Sequence, residues 1–149
     1  MSKSISDFFQ QAQLAEAAYS LFDQVNYRNK QEVIDALTLK DNKGEFSVAQ
    51  ATAFADTWEV IDHIPDTAAG FSATIFQSRQ TGAYSLAIRG STDLIDFAAD
   101  AALIAVDGIA IRQVVDLYNF WQRATTAENQ SYRAAFVTLR DRTKGVRVI

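Results

Sequence analysis

The spacing of apolar residues changes at position 58, and this change does most to limit the fold. Up to that point they recur every three or four residues, the period of a helix resting on a core. Phe8, Ala12, Ala15, Tyr19 and Phe22 form the first series, with Ser4 or Ser6 where an N-cap belongs. Residues 26–29 read as a break. Val33, Ile34 and Leu37 then share one face of a second helix over 30–39. Asp41-Asn42-Lys43-Gly44 is a turn cluster. Ser47-Val48-Ala49-Gln50 has capping-box form at the head of a third, alanine-rich helix.

From Trp58 the step becomes two. Residues 58–64 read as a strand that stops at Pro65. Phe71, Ala73 and Ile75 alternate with Ser72, Thr74 and Phe76. Tyr84, Leu86 and Ile88 alternate with Ser85 and Ala87. Residues 78–83, with Gly82, are the link of a hairpin, so two antiparallel strands are expected, the second ending at Arg89. The helical period then returns. Ile111, Val114, Val115, Tyr118 and Trp121 make one apolar stripe, and Tyr132, Ala135, Phe136 and Leu139 another. The last helix is expected to close on Arg140, Arg142 and Lys144, cations suited to a helix C-terminus, with Gly145 at C′. Val146-Arg147-Val148-Ile149 reads as a final strand.

Helix and strand in this order predict an α/β chain, and its 149 residues predict one domain. A strand that follows a helix is usually an interior parallel strand, buried on both faces. The sheet is therefore expected to be mixed, and residues 1–149 to be the N-terminal part of a longer domain. The net charge is −4 and no Lys/Arg run alternates with aromatics, which argues against nucleic acid as a partner. The absence of cysteine removes disulfides, thiol catalysis and thiolate metal sites. No apolar run is long enough to span a bilayer, because residues 97–111 are interrupted by Asp100, Asp107 and Gly108. No h-region follows Met1-Ser2-Lys3, so the expected location is cytoplasmic, or exported by a signal outside these residues.

The chemistry is concentrated at Leu86-Ala87-Ile88-Arg89-Gly90-Ser91-Thr92-Asp93. Gly90 permits a tight turn at a strand end, which would free the Ser91 N–H as a hydrogen-bond donor. The series from Arg89 to Asp100 resembles the class 3 lipase family, which reads Arg-Gly-Ser/Thr, a short lid helix with a central aromatic, then Ala-Asp. Phe97 stands where the fungal enzymes usually carry Trp. Further likeness to bacterial lipase and phospholipase-like proteins lies in Gly70-Phe71-Ser72-Ala73-Thr74-Ile75-Phe76, in residues 108–121, and in residues 145–149.

The resemblance implies a partial α/β-hydrolase with N-terminal helices, a mixed sheet and flanking helices, ending on the strand before the nucleophile elbow. It implies hydrolysis of carboxylic esters of lipids by a serine acyl-enzyme, without a cofactor or metal. Ser91 matches the oxyanion-hole residue. Arg89, Gly90 and Asp100 match its structural neighbours, and Leu94, Ile95, Phe97 and Ala98 match the lid over the substrate. The nucleophilic Ser, the Asp and the His lie, in the family, beyond Ile149. The alternative is an inactive interaction module that pairs with another chain, or with a second copy, through the strand at Val146 to Ile149.

The other candidates have weaker grounds. Ser72 opens a strand, whereas the elbow must follow one. His63, the only histidine, reads as a partly exposed sheet residue. Asp93, Asp96, Asp100 and Asp107 read as a solvated face, since no glycine-bearing loop or His ligand accompanies them.

Overall fold

A computed structural model describes residues 4–40, 45–67, 70–89 and 109–136. The chain divides into two compact units: Met1–Pro65 with Ser72–Gly90, and Asp66–Phe71 with Ser91–Ile149.

The first unit packs helices on a sheet. Helix α1 (Ile5–Ala17) begins at a capping box in which Ser4 Oγ accepts the Asp7 N–H and Asp7 accepts the Ser4 N–H. Helix α2 (Lys30–Thr38) starts at Asn29, whose side chain accepts the Gln31 N–H, and buries Val33, Ile34, Ala36 and Leu37. Helix α3 (Val48–Thr57) carries the expected Ser47/Gln50 box. Strands β1 (Trp58–Ile64), β2 (Ala73–Ser78) and β3 (Tyr84–Ile88) form an antiparallel sheet in the order β1-β2-β3. The β2–β3 link turns through Gly82, whose φ of 70° suits a residue without Cβ. The described sheet is thus antiparallel throughout. The expected parallel strand at residues 146–149 lies outside the described residues.

The core joins the three helices to the sheet. Phe76 on β2 meets Phe22 and Phe54 edge to face, with centroids 6.0 and 5.4 Å away, and Phe54 meets Phe46 at 5.6 Å. Between Val60 and Asp62 the β1 register shifts by one residue. This bulge inverts the alternation beyond it, so that His63, paired with Thr74, shares the helix-covered face with Val60 and Phe76.

Two expectations fail in this unit. Helix α1 ends at Ala17, well before Phe22, which lies in a 3-10 turn (Phe22–Gln24) and is fully buried. The buried residues around its end are Leu14, Ala17 and Ala18, while Phe8, Ala12 and Ala15 are exposed. Small Ala17 and Ala18 suit close packing, and Phe22 reaches the core from a separate turn. The alternation read over residues 71–76 also does not divide β2 into a buried and an exposed face. Ser72 and Thr74 are as buried as Ala73 and Ile75, and their hydroxyls find partners in Ile64 O and His63 Nδ1.

In the second unit, helix α4 (Ile109–Thr125) does not bury the stripe that its hydrophobicity suggests. Val114, Tyr118 and Trp121 are exposed and Phe120 is buried. Polar partners orient the helix instead: Thr67 Oγ1 donates to Asp116 at 2.7 Å, and Asn119 holds Ala135. The last helix expected from Tyr132, Ala135 and Phe136 is absent over residues 131–136. The Asn119 side chain accepts the Ala135 N–H at 2.8 Å and donates to its carbonyl at 2.9 Å. Both backbone groups of Ala135 are thus used outside a helical ladder. Leu139 and the residues after it lie outside the described residues.

Candidate functional site

Among the described residues, chemistry-bearing groups gather where β3 ends. Arg89 follows β3, and its N–H donates to the Ser72 carbonyl at 2.9 Å. Ser72 Oγ donates in turn to Ile64 O at 2.9 Å. These two bonds cross the sheet from β1 to the end of β3 and fix the peptide at Arg89. Ser72 is 1% exposed and its hydroxyl is engaged, as suits a strap and not a nucleophile.

One row further in lies His63. Its side chain is only 3% exposed, while the residue as a whole keeps the partly exposed character expected of it. The bulge in β1 turns it inward, against Phe22 at 5.7 Å, ring edge to face. Nδ1 lies 2.8 Å from Thr74 Oγ1 and Nε2 lies 3.7 Å from Asp23 Oδ1. The carboxylate favours a proton on Nε2, which leaves Nδ1 to accept the threonine hydroxyl. Burial holds the imidazole below its usual pKa. The Asp23 and Asp62 carboxylates oppose this, and the Arg89 cation adds to it.

Asp23, His63 and Thr74 have the composition of an acyl-transfer relay, but no ester carbonyl can reach Thr74, which is fully buried. The group acts as a polar clamp between the 3-10 turn, β1 and β2. Sequence reasoning missed Thr74 and Asp23 as partners of His63. The only usable signal was a lone histidine within reach of a β-branched hydroxyl on a neighbouring strand.

The neutral, buried imidazole makes folding sensitive to acid. Above pH 6.5 the folded and unfolded chains both hold His63 neutral, and it adds no pH dependence. As pH falls through about 6.5 the unfolded chain takes up a proton that the folded chain resists, so stability falls, levelling out below the folded pKa. Urea midpoints between pH 8 and 5 are expected to drop more steeply for the native chain than for His63→Gln. Parallel curves would show that His63 titrates alike in both states.

Of the residues assigned by resemblance, the described set contains Arg89 alone. Gly90, Ser91, Leu94, Ile95, Phe97, Ala98 and Asp100 lie outside it. Among the described residues no group of three or more His, Asp or Glu side chains could hold a metal, and no helix is long and apolar enough to cross a membrane. No protein-family model, curated protein or solved structure matches the chain.

Proposed function

We propose that this chain is the N-terminal part of a class 3 lipase-type α/β-hydrolase that acts on carboxylic esters of lipids. The observation that carries the reading is the placement of Arg89. It immediately follows β3, with its N–H tied to Ser72, at the point where the sequence continues as Gly90-Ser91. An oxyanion donor needs a rigid strand behind it, because its contribution depends on being fixed before charge develops. The ordered likeness from Gly70 to Asp100 supplies the rest of the argument.

In this reading a serine beyond Ile149 attacks the ester carbonyl, a histidine takes its proton, and the Ser91 N–H helps hold the tetrahedral oxyanion. Leu94, Ile95, Phe97 and Ala98 cover the acyl chain. The mechanism requires no cofactor.

The test begins with the coding sequence after Ile149, which should encode Gly-x-Ser-x-Gly within a few residues. The protein carrying it should react with a fluorophosphonate probe, and the 149-residue chain should not. Absence of the elbow, or labelling of the chain without it, would overturn the assignment.

A further inference from the structure

We propose that the outward face of α1 docks on an electrically neutral lipid surface. Ile5, Phe8, Phe9 and Ala12 follow the i, i+3, i+4, i+7 spacing of one helix face. Ile5 is 90% exposed and Phe8 and Phe9 are each 58% exposed. The opposite face, Asp7, Gln10, Gln11 and Leu14, has the same spacing and lines a cleft of about 270 Å³ with Trp58 of β1 and Ser85 of β3. Asp7, Gln10 and Gln11 stay solvent-exposed along this cleft, with Leu14 buried at its base, and the large apolar side chains face away from it. The Ser4/Asp7 capping box holds its first turn in helical form.

The size of the patch and its charge select the occupant. At up to about 200 Å² for a full side chain, the three large residues expose roughly 400 Å². That is about half of the ~800 Å² per partner in a standard protein interface, too little for a stable dimer. Insertion among acyl chains needs only these side chains, with the helix lying in the plane of the surface. The charged residues of α1 are Asp7 and Glu16, and the helix has no Lys or Arg. Within α1 anionic headgroups would find no counter-charge, Lys3 ahead of it being the one nearby cation in sequence, and the net charge of −4 would repel them. The surface that fits is zwitterionic or uncharged. This inference is independent of the ester-hydrolase reading, because binding is measured without turnover.

The test is flotation of the 149-residue chain with phosphatidylcholine vesicles, alone and with added phosphatidylglycerol. Binding to the neutral vesicles is expected, with weaker binding as anionic lipid is added. Phe8→Ser/Phe9→Ser should lower it at least tenfold while leaving the far-UV circular dichroism and melting temperature unchanged. Because the chain has no cysteine, a polarity-sensitive dye can be placed uniquely. Its emission should shift to the blue on Ala12→Cys when neutral vesicles are added, and stay constant on Gln10→Cys. No binding to neutral vesicles, preference for anionic ones, or equal shifts at the two positions would overturn the proposal. So would a dimer in light scattering that the double substitution splits, since the occupant would then be a second copy.

Discussion

Replacing Phe76 with alanine is expected to lower the stability of the first unit by about 3–5 kcal/mol, the usual cost of emptying a buried phenylalanine site. Phe76 is fully buried on the middle strand. It is the common partner of Phe22 and Phe54, which arrive from the 3-10 turn and from α3. Neither ring can follow a retreating side chain: Phe54 is held by Phe46 and Phe22 by His63. The cavity therefore stays largely open, which puts the cost at the upper end of the range. Against the 5–15 kcal/mol that typically separates folded from unfolded domains, such a loss approaches half of the total. Urea unfolding should show a large fall in midpoint with an unchanged slope. Phe8→Ala, at an exposed position, should move the midpoint little, within about 0.5 kcal/mol. A cost at Phe76 below about 1 kcal/mol would mean that the aromatic cluster does not hold the sheet to the helices.

That contrast marks the limit of what the sequence conveys. Hydropathy treats Phe8 and Phe76 alike, and periodicity put Phe8 on the core-facing stripe. Features governed by local chemistry were legible. Ser47 and Gln50 specify a helix start through their own side chains, Gly82 specifies a turn, and alternation in 84–88 specifies a strand. Features governed by partners distant in sequence were not. The bulge after Val60 leaves no trace in the pattern, yet it decides that His63 faces Phe22. Asn119 looks like a polar interruption of an apolar helix, yet its amide takes both backbone groups of Ala135 and displaces the expected helix there. Arg89 was legible as the end of a strand, but not the Ser72–Ile64 strap that fixes it. Every other assigned site residue rests on the family resemblance alone.

The largest expected effect on chemistry concerns Ser91. If its N–H is one of the oxyanion donors, Ser91→Pro in the protein that carries the nucleophile should lower kcat by about 10²–10³, the usual consequence of losing one such donor. The loss should fall on kcat more than on KM, because the donor meets full negative charge only in the transition state. Ser91→Ala keeps the N–H and removes the hydroxyl, so it separates two contributions that the sequence leaves joined. A small effect of alanine beside a large effect of proline assigns the work to the backbone, whereas equal effects assign it to the hydroxyl. Proline also fixes φ and removes freedom from the residue before it, so a further variant is needed. Ser72→Ala removes the strap from Ile64 O without touching the Ser91 peptide. A loss of kcat there, smaller than at Ser91→Pro and restored by Ser72→Thr, would show that the rigidity behind Arg89 reaches the donor. Unchanged kcat in both Ser91 variants would remove Ser91 from the oxyanion hole.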